Sequence, residues 1–236
     1  LVQTPLPVPT AQPVRVRVLA AGVGYADVMA QRGGYPLAPS RPFTPGYDLA
    51  GIVEEVGSSV TGLAVGQYVA GLNPGMGCYA QQICVDAGYL VPVPAGLEPA
   101  AVVSLVLNYL TAHSILHRHA RVRAGQNVLI HAAAGGVGTA LLQLGRLAQL
   151  TLYGTASANK HALVRSLGGV PIDYRQTDFV QAVLRATGSG VDAAFDPIGG
   201  AHLRRSFDAV KRGGCVVCYG FAGSHFGGWW PMIAGV

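Results

Sequence analysis

The sequence predicts an α/β protein in which a β-rich first lobe is followed by a doubly wound parallel sheet. Three observations carry that prediction. Up to Gly96 short apolar bursts are separated by Gly and Pro. From Glu98 apolar strands alternate with single helices. The first strand of this second half runs straight into a glycine-rich turn that opens a helix.

In the first lobe, Val14-Arg15-Val16-Arg17-Val18 alternates strictly, the period of a half-buried strand. Leu49 to Val56, Gln67 to Leu72 and Tyr79 to Val85 read as further strands bounded by glycine. In the second lobe, Asn127 to His131 is a buried strand, Gly136 to Gln149 a helix with an apolar stripe of Leu141, Leu142, Leu144 and Leu147, and Thr151 to Thr155 a second strand. A helix from Asn159 to Leu167, a strand at Val170 to Ile172, a helix from Thr177 to Thr187, a strand at Val191 to Phe195, a helix from Gly200 to Val210 and a strand at Cys215 to Tyr219 complete the pattern. Strands joined by single helices imply right-handed crossovers and a parallel sheet covered on both faces.

The 236 residues suit one or two domains, at about 100 to 200 residues each. Half are hydrophobic and 11% charged, which excludes a disordered chain. The excess of 16 basic over 11 acidic residues is scattered, and the densest positive stretch, His117 to Arg123, is too short and too poor in aromatics for a nucleic-acid groove. An anionic small molecule suits the balance better. Four cysteines make no disulfide framework, so a reducing cytoplasm is the default location. Ala124 to Gly145 is long enough to span a bilayer, yet its Gln, Asn, His and Gly content reads as strand, turn and helix, and no membrane span is expected. The segment from Leu1 to Pro13 is proline-rich and reads as trimmed rather than as a signal peptide.

Ala132-Ala133-Ala134-Gly135-Gly136-Val137-Gly138 matches G-x-G-x-x-G with Ala133 in the first position. The missing Cβ at Gly135 lets a pyrophosphate approach, that at Gly138 lets helix and strand pack closely, and the helix N-terminus then faces the phosphates. A dinucleotide cofactor follows. NAD sites place an acid at the end of the second strand. Here Gly154 to Lys160 contains none, and Ser157 with Lys160 suits a 2′-phosphate, which favours NADPH. The alternative has Ser157 capping a helix and Lys160 pointing to water.

No metal is expected. None of the seven histidines pairs with a cysteine at a ligand spacing; Cys78 and Cys84 lack a second pair, and Cys215 and Cys218 read as packed strand residues on opposite faces. No G-x-S-x-G elbow occurs, and His113 and His131 beside apolar residues read as core histidines. Tyr25, Tyr35, Tyr47 and Tyr109 lie near turn residues, each a candidate for substrate or for half-buried packing.

Gly22 to Tyr35, Pro45 to Gly57, Asn108 to Ala112, Ala133 to Gly138, Gly154 to His161, Ile172 to Tyr174, Asp192 to Gly200 and Gly213 to Gly220 together resemble the medium-chain dehydrogenases/reductases. Within them the likeness is to the zinc-free quinone oxidoreductase branch of zeta-crystallin and vesicle amine transport protein homologues. The segments occur in family order and cover most of the chain. The resemblance implies a GroES-like catalytic lobe over residues 1–98, left incomplete, and a Rossmann domain over 99–236. Zinc-dependent relatives read Gly-His-Glu where this chain has Gly46-Tyr47-Asp48, so a ligand imidazole is absent. By similarity Thr111 faces the nicotinamide, Gly136 and Val137 the pyrophosphate, and Ser157, Lys160 and Tyr174 the 2′-phosphate; Gly220 and Phe221 also touch the cofactor. Tyr25, Tyr35 and Tyr47 are the substrate-cleft candidates, with no certain catalytic residue. A homodimer is implied.

Two departures stand out. Many relatives have Asn where Gly24 stands, an amide that orients nicotinamide or substrate, and its absence counts against efficient quinone reduction. The family chain also returns to the first lobe after the nucleotide domain, and this sequence, ending at Gly227 to Val236, is expected to lack that return. The expected activity is NADPH-dependent, zinc-independent hydride transfer to quinones or α,β-unsaturated carbonyls. An enoyl-thioester reductase and a cofactor-binding protein with little turnover are the alternatives.

Overall fold

The structure, a computed structural model, describes residues 12–223 together with Gln3, Pro5, Pro7 and Val8. The chain divides into two compact units, Leu1–Leu107 and Asn108–Val236.

The first unit is an antiparallel sheet. Its strands are β1 (Pro13–Ala21), β2 (Asp48–Val56), β3 (Tyr68–Leu72), β4 (Gln82–Asp86) and β5 (Leu90–Pro92), in the order β4-β1-β2-β3-β5. The alternation in β1 is used as the period-two rule requires: Val14 and Val16 are fully buried, while Arg15 and Arg17 pair with Glu54 and Glu55 of β2. Val14, Val16, Leu49, Val53, Val69, Cys78, Val85 and Leu90 form the core. Two departures from the sequence reading occur here. The strand expected from Tyr79 begins only at Gln82, and the helix α1 (Tyr25–Arg32) lies in a segment given no element. Its signals are local: Asp27 at the third helical position accepts from the Gly24 amide at 2.9 Å, and Gly33 closes the helix at φ 81°.

A second helix, α2 (Pro99–His113), runs on through a π-helical turn over Ser114–His119. Among the described residues, Pro99–His119 is the helix long and apolar enough to cross a membrane by length and composition. Its apolar residues have packing partners: Val102 and Val103 lie against Ala50 and Ala70, whereas Ala112, Ile115 and Leu116 belong to the core of the second unit. The sequence reading missed this helix because no capping residue precedes Pro99 and its composition is apolar almost all round.

The second unit is a parallel sheet. Strands β6 (Asn127–Ile130), β7 (Thr151–Ala156), β8 (Gly169–Asp173), β9 (Val191–Asp196) and β10 (Val210–Cys218) take the order β10-β9-β6-β7-β8. Helices α3 (Gly136–Leu147), α4 (His161–Ser166), α5 (Phe179–Thr187) and α6 (Ala201–Asp208) connect them. Two apolar cores lie on opposite faces, one around Ile130, Leu141, Leu142 and Phe195, the other around Leu129, Phe179 and Val183, as a doubly wound sheet demands. The helix expected over Asn159 to Leu167 is split into a 3₁₀ turn at Ala158–Lys160 and α4. Cys215 packs against the first of these cores, as expected; Cys218 is exposed, a correction that follows from the position of β10 at the sheet edge. The segment Gly227 to Val236, where the return to the first lobe is expected to be missing, lies outside the described residues.

Candidate functional site

The order β10-β9-β6-β7-β8 has a reversal point: from β6 the chain moves outward through β7 and β8, then returns to the other side of β6 with β9 and β10. In such sheets ligands bind beyond the carboxyl ends of the strands at this point. The glycine turn lies there, since it directly follows β6. Ala132 opens it in the left-handed region at φ 50°, Ala133 is buried, and the Ala133 amide donates to the Thr155 carbonyl at 3.0 Å. Gly135 and Gly136, at the start of α3, are exposed. The first-turn amides of a helix lack intrahelical partners, so the bare N-terminus of α3 presents N–H groups and the positive end of its dipole. A Cβ on Gly138 would run into the backbone of Ala132 and Ala133, and one on Gly136 would come within 2.8 Å of the Asn108 side-chain oxygen. A pyrophosphate is therefore chemically suited to this turn.

At the far end of the expected dinucleotide path, β7 and β8 run parallel with Ala156 opposite Asp173, so Ser157 and Tyr174 leave neighbouring strand ends. The Ser157 hydroxyl donates to Asn159 Oδ1 at 2.7 Å, and Lys160 and Tyr174 are exposed. Arg175 stacks over the Tyr174 ring at 5.7 Å, a second cation that the sequence reading did not single out. Thr111 lies half-buried on α2, where Tyr109 donates to Gln143 of α3 at 2.6 Å. Gly220 and Phe221 are also half-buried, and the loop after β9 is clamped to them: Tyr219 donates to the Asp196 carbonyl, Ala222 to Pro197 and Gly223 to Ile198.

In the first unit, Tyr35 and Tyr47 meet edge-to-face at 6.1 Å, while Tyr25 is 51% exposed on α1. The same unit holds two buried carboxylates missed in the sequence. Asp27 Oδ1 accepts from the Gly46 amide and Oδ2 from that of Gly24, both at 2.9 Å; Asp48 accepts from Leu107 at 3.2 Å. Burial pushes the Asp48 carboxyl up against the pull of its amide donors. Burial and the hydrogen bond with Tyr35 keep the Tyr47 phenol protonated, and burial pushes the Cys78 thiol up to about 12, so it is no nucleophile at neutral pH. Tyr79, donating to the Gly22 carbonyl at 3.1 Å, joins this group.

Below the glycine turn a polar network fills the ends of the strands. The His131 ring, fully buried, lies 3.1 Å from the Thr155 hydroxyl and 3.2 Å from that of Ser206. Ser206 donates to Asp196 at 2.6 Å, as does His202 at 2.8 Å, and the Ile198 and Gly199 amides occupy the other oxygen of Asp196. Burial drives the His131 pKa down to about 3, with the neighbouring His202 acting the same way. Burial alone would raise Asp196, yet its four donors together hold it well below the usual carboxylate range. The ligand-type atoms of His131, Asp196 and His202 lie within 4.8 Å of one another, a grouping invisible to sequence spacing. The Ser206 hydroxyl sits among them, and each is already hydrogen bonded.

Residues 10–95 match the alcohol dehydrogenase GroES-like domain, and residues 136–227 the zinc-binding dehydrogenase family. The chain is 39% identical over 212 residues to the synaptic vesicle membrane protein VAT-1 homolog of Danio rerio, covering 89% of this chain and 43% of that protein. It is 37% identical over 216 residues to a 2-haloacrylate reductase of Burkholderia sp, covering 89% and 65%. Among solved structures, a quinone oxidoreductase of Pseudomonas syringae superposes with a TM-score of 0.89 at 33% identity, covering 93% of this chain and 68% of that one. The Escherichia coli quinone oxidoreductase complexed with NADPH gives 0.90 at 28%, covering 97% and 71%. The chain spans about half the length of the VAT-1 relatives it matches. With both units matched in family order and the glycine turn at the reversal point of the sheet, the chain belongs to the medium-chain dehydrogenase/reductase superfamily, in its quinone oxidoreductase branch.

Proposed function

We propose that the protein is an NADPH-dependent, zinc-independent oxidoreductase that transfers hydride to quinones or α,β-unsaturated carbonyls. The observation that carries this is the exposed glycine turn at the reversal point of the sheet, with an acid-free strand end at Ser157 and Lys160. The likeness to the NADPH-complexed E. coli quinone oxidoreductase and to the 2-haloacrylate reductase supports it.

In this reading the amides around Gly135, Gly136, Val137 and Gly138 hold the pyrophosphate. Ser157, Lys160 and Tyr174 receive the 2′-phosphate, and Thr111, Gly220 and Phe221 line the rest of the dinucleotide. When bound, the nicotinamide supplies a hydride to an electrophilic carbon. Charge then developing on the substrate oxygen calls for a donor, and Tyr47, kept protonated by burial and by Tyr35, is the phenol best suited; Tyr35, in contact with it, and Tyr25 on α1 are the further substrate candidates. Water completes the protonation. A phenol between Gly46 and Asp48 also supports zinc independence, since neutral Tyr is a poor ligand beside the imidazole that zinc prefers. Cytoplasmic location and a homodimeric state belong to the same proposal, supported by four free cysteines and by the resemblance.

The test mixes the protein with NADPH and phenanthrenequinone, then with an enoyl thioester, and follows absorbance of the reduced cofactor. Oxidation with the quinone is expected. Tight NADPH binding with neither acceptor reduced would rule out both the quinone and enoyl-thioester readings.

A further inference from the structure

Ala132 holds a left-handed conformation, φ 50°, with a side chain that disfavours it. Such a residue persists only where its surroundings over-determine the backbone. Its neighbour His131 is held from every side. The His131 amide donates to the Phe195 carbonyl at 3.0 Å, one ring nitrogen meets Thr155 of β7, and the other meets Ser206 of α6. Phe179 closes the ring edge-to-face at 4.7 Å, with His202 at 4.4 Å. Ser206 and His202 converge on Asp196 at the end of β9, whose second oxygen fixes the Ile198 and Gly199 amides. The ends of β6, β7 and β9 and the helix α6 are thus tied into one knot, directly under the glycine turn.

From this geometry we infer that Thr155, His131, Ser206 and Asp196 form a positioning brace that holds Ala132, and through it the first-turn amides of α3, in the shape a pyrophosphate needs. None of the four touches the ligand. They act through the turn, so their loss weakens dinucleotide binding and leaves the hydride-transfer step unchanged. The inference rests on the dinucleotide-binding reading above for its ligand, but the brace itself is a property of the turn. Hydrogen bonding, rather than packing, is its substance: Thr155→Val keeps volume and removes only the hydroxyl, whereas Thr155→Ser keeps the hydroxyl.

The experiment compares wild type with Thr155→Val, Ser206→Ala and Thr155→Ser by calorimetric titration with NADPH, steady-state kinetics, and amide hydrogen exchange. Thr155→Val and Ser206→Ala are expected to weaken NADPH by about tenfold, raising KM for NADPH with kcat unchanged. Exchange should rise over residues 132–138 and 197–200 while β1 and β2 keep their protection, and Thr155→Ser should restore wild-type behaviour. Unchanged exchange over 132–138, or a uniform loss of protection throughout the second unit, overturns the brace. Wild type that binds no dinucleotide overturns the functional reading alone, because exchange in the turn still reports on the brace.

Discussion

In the proposed reading, Lys160 and Ser157 at the end of β7 set the cofactor choice. An acid at the end of β7 would repel a 2′-phosphate, and a cation draws it in. Lys160→Ala is expected to weaken NADPH by about tenfold or more while NADH changes by less than about twofold, measured by fluorescence titration. Equal losses for the two cofactors would contradict the assignment. Arg175, stacked over Tyr174 at the neighbouring strand end, adds a second positive charge at the same edge. Its role is not legible in the sequence, because what brings it near Ser157 is the parallel register of β7 and β8.

At the scale of elements, α1 depends on one carboxylate. Asp27 caps its N-terminus at Gly24 and also takes the Gly46 amide from the segment before β2. Asp27→Ala leaves two amides without their acceptor and is expected to cost about 3 kcal/mol, read from urea unfolding. Asp27→Asn, which keeps the volume but only one acceptor oxygen, should lose less than Asp27→Ala and still fall below wild type, and an Asp27→Asn as stable as wild type would show that packing rather than the amides matters. The strands of the second unit were legible because parallel strands buried on both faces are short apolar runs between helices. The helices α1 and α2 were not, one for its brevity and the other for its nearly uniform apolar surface.

For the whole molecule, the buried network makes stability depend on acid. His131 has a folded pKa of about 3 against an unfolded value of about 6.5, so between those values only the unfolded chain holds the proton. Stability is full above about pH 6.5 and falls as pH drops, by up to about 1.4 kcal/mol per pH unit from this group. Asp196, also lowered, adds a further loss below its unfolded pKa of about 3.9. Urea midpoints measured from pH 7.5 to 4 should therefore fall for wild type, and the slope should flatten in His131→Gln, less stable at neutral pH though that variant will be. Parallel curves for the two proteins would place the acid sensitivity elsewhere.

The sequence by itself determined the two-part α/β order, the glycine turn at Gly135 to Gly138 and the acid-free end of β7. Each is a local pattern: a period of two, a helix spacing, a short run of residues without side chains or without charge. Only the tertiary structure decided that His131, Thr155, Asp196, His202 and Ser206 meet beneath that turn, and that the buried Asp27 and Asp48 take the amides of Gly46 and Leu107. Such contacts join residues far apart in the chain. They come into being where strand ends converge and water is excluded, and no spacing along a sequence records that.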